Sequence, residues 1–333
     1  MVLLHPIVLG FLFSLPVLLS GCSGQEQNHS RETPAAAEQV QVPVFNQDSA
    51  YAYVEKQVLF GPRVPNSEAH EACGDYLQQT LSRMADTVYV QQARVRAYDG
   101  TVLDIRNIIG SFQPGNPNRI LLCGHWDSRP YADHDPNPAN HYTPIDGAND
   151  GASSIGVLLE VARIIQQQQP QVGVDIIFFD AEDYGPHEQH SGYVEDAWAL
   201  GSQYWARNPH RPDYVASYGI LLDMVGYPNS VFKKEGYSMM YASNIVRKVW
   251  DAARQAGYAA YFPDTRGGHI IDDHYYVNTL RNIPTIDIIH QDDDTSHGFF
   301  PYWHTVNDTM EHIDANTLGA VGQTLLTVLY KNP

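Results

Sequence analysis

Four apolar runs in this chain end in, or lead toward, acidic residues and histidines. The run 120–123 leads into Gly124-His125-Trp126-Asp127, and the run 174–179 ends in Asp180-Ala181-Glu182-Asp183. The run 219–222 ends in Asp223, and the run 285–289 is followed, after a loop, by His304. Asp150 stands where a helical pattern begins after the first run and its loop. Carboxylates brought into one crevice repel each other, and a bound divalent cation is the simple compensation. A set of Asp, Glu and His suits zinc, which takes nitrogen and oxygen ligands and keeps one position open in catalytic sites. A lone Asp at a strand end is more often a helix cap, but several at successive strand ends point to a metal centre.

The elements that must carry these residues follow from periodicity. The four apolar runs lack alternation, so they predict strands buried on both faces. Segments 88–95 and 102–109 are rich in β-branched residues and predict an antiparallel pair. Ile155, Leu158, Leu159, Ala162 and Ile165 recur at helical spacing, and helices are also predicted over 68–84, 245–256 and 314–330. Strands alternating with helices give an α/β fold. The expectation is one globular domain, a central mixed but mostly parallel sheet flanked by helices as a sandwich. In such sheets ligands bind outside the carboxyl ends of the strands, where the acids fall. Long segments 131–142, 184–198 and 290–303 are rich in Pro, Gly, His, Asp and aromatics and are expected to be functional loops.

The chain has 333 residues, 43% of them hydrophobic, enough for a large core. With 38 acidic residues against 20 Lys plus Arg, its formal charge is −18, which argues against electrostatic binding of nucleic acid. An apolar stretch from Val2 to Leu19 ends in Leu19-Ser20-Gly21-Cys22. This reads as a secretory signal and resembles the lipobox of bacterial lipoproteins, with Cys22 as the lipidated residue. The expected organisation is a signal over 1–21, a lipidated Cys22 and polar tether over 22–44, and a catalytic domain over 45–333. The protein is then exported and lipid-anchored in the cell envelope. Cys73 and Cys123 are expected to be free buried thiols.

Taken together, the segments CGHWDS, DGANDGASSIGVLLEVAR, IIFFDAEDYG, LLDMVG, IIDDHYYVNTLRNIPTIDII and YWHTVNDTMEHID resemble the zinc exopeptidases of the M28 type. Within them the chain is more similar to the glutaminyl-peptide cyclotransferases. Trp303-His304-Thr305 replaces the Tyr-His-Thr of the aminopeptidases, and Asp272-Asp273-His274 has the cyclase form. Glu182-Asp183 departs from the family's Glu-Glu. The resemblance implies one zinc per chain, held by Asp150, Asp183 and His304. It implies Glu182 as general base and acid, Asp223 as the holder of the substrate amine, and Asp272 as a proton relay hydrogen-bonded to Glu182 or Asp223. Trp303 is the implied apolar wall. His125 is a second-metal ligand or an outer residue, oriented by Asp127. Tyr193 and Trp198 are further wall candidates. The implied substrates are peptides or proteins with N-terminal glutamine, converted to pyroglutamate with release of ammonia.

Two other readings use the same residues. A two-zinc aminopeptidase would take His125 and Asp223 as true ligands and release a free amino acid. A surface lipoprotein that binds peptide N-termini without turnover would have no need of a buried Glu182.

Overall fold

The computed structural model describes residues 41–331, together with Gly10, residues 12–17 and Pro333. Cys22 and most of the expected signal and tether lie outside the described residues. In chain order the elements are α1 (Gln47–Val58), α2 (Glu68–Ser82), β1 (Thr87–Arg96), β2 (Val102–Phe112), β3 (Arg119–His125), α3 (Ser154–Gln167) and β4 (Gly173–Phe179). Then follow α4 (Leu200–Arg207), β5 (Tyr218–Asp223), α5 (Gly236–Gln255), α6 (Asp273–Arg281), β6 (Thr285–Ile289) and α7 (Ala315–Lys331).

The six strands form one sheet in the order β1-β2-β4-β3-β5-β6. β1, β2 and β4 run antiparallel, while β4, β3, β5 and β6 are parallel. The expected mixed sheet is therefore present, with the β-branched hairpin at one edge. β3, β4, β5 and β6 are buried at every residue. Their side chains still alternate in destination, because successive residues of a strand point to opposite faces. Ile120, Leu122, Ile220 and Leu222 join the larger core, which α1, α3, α5 and α7 cover. Leu121, Cys123 and Leu221 join a second core with Trp205 of α4 and Val277 of α6. Each such side chain contributes about 1.5–3 kcal/mol on burial. Cys73 and Cys123 are free and buried, as expected.

Three helices escape the periodicity. α1 buries only Ala50, Val54 and Gln57, so it shows little apolar stripe. Its start is fixed by Asn46, whose side chain accepts from the N–H groups of Asp48 and Ser49, a cap worth about 1 kcal/mol. It packs tightly on α3 at Gly156, where a Cβ would lie 2.4 Å from Val54. α4 has only eight residues, and α6 is largely polar in sequence. α5 also begins earlier than predicted, because its first turns precede a non-helical break at Ala242.

The chain passes from β3 to β4 on one side and then to β5 on the other. β3 thus marks the point where strand order reverses, and the crevice opens beyond its C-terminal end. The described residues from Gln41 onward cohere as one compact unit. Among the described residues, no helix is long and apolar enough to cross a membrane.

Candidate active site

His125 is the last residue of β3 and Asp223 the last of β5. Glu182 and Asp183 follow β4 by a short turn, and Asp150 lies in the π-helical turn Ala148–Ser153 that leads into α3. His304 follows the loop after β6. Asp150, Asp183 and His304 are all buried, and they present ligand atoms within 4.8 Å of one another. His304 Nε2 lies 3.2 Å from Asp183 Oδ1 and 3.6 Å from Asp150 Oδ2. His125, Asp150 and Asp223 form a second such group. There His125 Nε2 lies 3.0 Å from Asp150 Oδ1 and 3.2 Å from Asp223 Oδ1. Asp150 therefore stands between the two histidines.

Backbone conformation aims these groups. Ala181, just before Glu182, has φ 52°; Met224, just after Asp223, has φ 48°; His304 itself has φ 54°. Left-handed conformations cost a non-glycine residue about 1 kcal/mol or more each and cluster where function requires them. Gly151 is needed for a different reason: a Cβ there would lie 2.5 Å from the His125 ring.

Three side chains clamp the backbone of the site, a role that was not legible in the sequence. Asp308 accepts the N–H groups of Asn149 (2.8 Å) and Asp150 (3.1 Å), which fixes the backbone of one ligand. Asp127 accepts the N–H groups of Glu182 (3.0 Å) and Asp183 (3.1 Å). Its approach to His125 Nδ1 is 3.5 Å, and that nitrogen has no hydrogen-bond partner. Asp127 thus clamps the strand-end turn, and its contact with His125 Nδ1 is the looser of its interactions. Arg129 is buried, paired with Asp133 at 2.8 and 2.5 Å, and donates to the Asp183 carbonyl at 3.1 Å. Its position in HWDSRP right after β3 was the available signal. Asp180, by contrast, turns away from the crevice and pairs with His70 at 2.9 Å.

The triads open onto a cavity of about 460 Å³ lined by Asp150, Glu182, Asp183, Asp223, Asp272 and His304. Trp303, Trp198 and Tyr193 also line it, so all three wall candidates belong to it. The Trp303 ring stacks on His304 with centroids 3.7 Å apart, and Tyr193 is 85% exposed at the rim. Asp272 has two duties. It caps α6, accepting from Asp273 N at 2.5 Å, and its Oδ2 is buried without a partner. The hydrogen bond expected from Asp272 to Glu182 or Asp223 is not formed: Oδ1 caps the helix and Oδ2 has no partner. A separate groove around Asn66, His70 and Arg106 holds none of the sequence-predicted site residues.

Electrostatics divide the site. Burial and the Asp272 carboxyl push Glu182 well above the ordinary carboxylate range. Burial and Asp150 do the same to Asp183, whose Oδ2 has no partner. Burial pushes Asp223 up to about 7 although His125 opposes it. Burial, with Arg129 nearby, holds His304 well below its ordinary value, so it is neutral. Burial also disfavours charge on His125, but contacts with Asp127, Asp150 and Asp223 outweigh it and push its pKa above the ordinary value. Neutral imidazole, two carboxylates and an orphaned carboxylate oxygen are a donor set that fits a divalent metal ion.

The profile of peptidase family M28 matches residues 107–329. A Zn-dependent exopeptidase of Parabacteroides distasonis is 59% identical, with TM-score 0.86, covering 87% of this chain and all of that one. The glutaminyl cyclase of Bacteroides thetaiotaomicron is 57% identical, also with TM-score 0.86, covering 88% of this chain and all of that one. The glutaminyl-peptide cyclotransferase of Bos taurus is 23% identical over 292 residues, 79% of this chain and 76% of that protein. With two thirds of its length matched by the family profile and the metal-competent triad in place, this chain belongs to peptidase family M28.

Proposed function

We propose that the protein is a zinc-dependent glutaminyl-peptide cyclotransferase, with one zinc held by Asp150, Asp183 and His304. The observation that carries this reading is a raised-pKa Glu182 beside a metal-competent triad, in a cavity walled by Trp198 and Trp303. It occurs in a chain with high similarity to a bacterial glutaminyl cyclase. Bound zinc supplies Lewis-acid polarisation of the γ-amide carbonyl of an N-terminal glutamine.

The chain's own residues do the rest. Asp223 holds the substrate α-amine, and Trp303 packs on the glutamine side chain so that the amine faces the amide carbon. The ring closure is intramolecular, so what the protein adds is this orientation. As the amine nitrogen bonds to the amide carbon, Glu182 takes its proton. The carbon–nitrogen bond of the amide then breaks, and Glu182 returns the proton to departing ammonia. A carboxyl whose pKa is raised by burial and by Asp272 is suited to taking up that proton.

The count of one zinc follows the cyclase reading, in which Asp150, Asp183 and His304 form the metal triad. His125 Nε2 instead faces Asp150 Oδ1 at 3.0 Å and Asp223 Oδ1 at 3.2 Å. One observation favours the two-zinc aminopeptidase reading: Asp150 faces both histidines, as a bridging carboxylate would. The two readings part on products. A Gln-Phe-Ala peptide incubated with zinc-loaded protein is expected to lose the mass of ammonia, a loss removed by chelator. Release of free Gln and Phe-Ala would instead establish the aminopeptidase.

The same proposal places the protein outside the cytoplasm, tethered to a membrane by lipid on Cys22. Support comes from the Leu19-Ser20-Gly21-Cys22 boundary after the apolar stretch. Cys22→Ser is expected to move the protein from the membrane to the soluble fraction; unchanged membrane association would overturn the lipid anchor.

A further inference from the structure

Beneath the cavity lies a buried polar cluster that the reaction above does not use. His274 on α6 and Asp287 on β6 are both fully buried. Asp272, His274 and Asp287 present side-chain atoms within 4.8 Å of one another. His274 Nδ1 lies 3.8 Å from Asp287 Oδ2. Neither His274 Nδ1, nor Asp272 Oδ2, nor either oxygen of Asp287 has a hydrogen-bond partner. Leaving so many polar atoms unpaired in a protein interior is costly, which favours a role outside packing.

The other face of His274 is fully specified. Its Nε2 lies 3.0 Å from Glu235 Oε2. Glu235 Oε2 also accepts from Ser238 N (2.6 Å) and Ser238 Oγ (2.7 Å). Glu235 Oε1 accepts from Tyr237 N (2.7 Å) and Ile270 N (3.0 Å). A carboxyl surrounded by backbone donors is an acceptor and therefore ionised. His274 Nε2 must then carry a hydrogen. Its Nδ1 is left facing the carboxyls of Asp287 and Asp272. Asp272 alone of the three reaches the cavity.

We propose that Glu235 and His274 are positioning residues that fix the orientation of Asp272 from below, through the buried cluster with Asp287. The inference rests on the cyclase reading, in which Asp272 stands beside Glu182. Glu235 sets the His274 tautomer. His274 and Asp287 form the buried floor beneath Asp272, so that its free oxygen meets the cavity in one defined orientation. The pair acts through Asp272 and touches no reacting atom.

The test is a double-mutant cycle on zinc-loaded protein with a Gln-initiated peptide. His274→Gln leaves the donors around Glu235 in place and is expected to lower kcat roughly tenfold to a hundredfold, with KM within about twofold. In an Asp272→Asn background the same change is expected to cost less than about twofold, because the path it acts through is gone. Paired with Trp303→Ala, it is expected to be additive. Full additivity with Asp272→Asn, or an unchanged kcat, would overturn the proposal. So would loss of a second equivalent of metal on His274→Gln, which would make the cluster a buried metal site. If His274→Gln does not fold, nitrogen NMR of histidine-labelled wild type decides: a hydrogen on Nε2 of His274 supports the positioning role, and a neutral Nδ1–H tautomer overturns it. Absence of ammonia from the wild type would overturn the cyclase reading itself, whereas an active wild type with an unaffected His274→Gln overturns only the positioning role.

Discussion

The two ends of the same sheet treat buried acids in opposite ways. At the end where β3 and β4 begin, Asp175 is fully buried and fully satisfied. Arg119 Nε and Nη2 donate to its two oxygens at 2.7 Å each, and Ser111 Oγ donates at 2.6 Å. At the opposite end, Asp150, Glu182, Asp183, Asp223 and Asp272 share one crevice, and Arg129 is the cation beside them. Asp183 Oδ2 and Asp272 Oδ2 are left without partners. A buried carboxylate that serves structure is paired where it stands, since an uncompensated charge inside a protein is expensive. Acids left unpaired beside a cavity are held for something that arrives: a metal ion, a proton or a substrate amine.

This contrast can be broken from either end. The largest effect is expected at the crevice. His304→Ala, or removal of metal by chelation, should lower kcat/KM at least about a thousandfold, of the order of 4 kcal/mol of lost transition-state stabilisation. Re-addition of zinc should restore the chelated wild type but not the variant. Glu182→Gln should lower kcat by about a hundredfold to ten-thousandfold, while metal analysis finds zinc still bound. A variant that lost its zinc would move Glu182 from base to ligand.

At the other end the signature reverses. Arg119→Met leaves Asp175 buried without its charge partner and should cost about 3–5 kcal/mol of stability in denaturant unfolding, with kcat/KM of the remaining folded protein unchanged. A loss of activity without a loss of stability would erase the distinction between the two ends. The smallest effect concerns acid stability. Burial alone would raise the Glu235 carboxyl, but His274 and the donors at Ser238 outweigh it and bring it from its ordinary 4.5 down to about 2. Its folded-state pKa is depressed, so its contribution to stability is present above pH 4.5 and is lost as pH falls toward 2. Glu235→Gln should therefore flatten stability against pH across that window; an unaltered slope would mean other carboxylates dominate it.

Much of this contrast was legible in the residues. The strands 120–123, 174–179, 219–222 and 285–289 read as buried because no polar residue alternated along them, apart from Asp175 and Asp287. Those two exceptions are now explained, one by Arg119 and the other by the cluster with His274. The acids at strand ends pointed to the crevice because sheet topology delivers strand ends to one edge. The supports were not legible. Asp308 reaches Asp150 across 158 positions of sequence, and no local pattern announces such a clamp. The left-handed turns at Ala181, Met224 and His304 carry no glycine to mark them. α1, α4 and α6 were missed because their stability comes from caps and tertiary packing more than from an apolar stripe.

The central claim of the proposed function is one metal per chain, held by Asp150, Asp183 and His304. The measurement that reaches it most directly is ammonia release from Gln-Phe-Ala while zinc is titrated into metal-free protein. The account predicts that ammonia production rises linearly and reaches its plateau at one equivalent of zinc per chain. A plateau at two equivalents, or free glutamine appearing in place of ammonia, would contradict it.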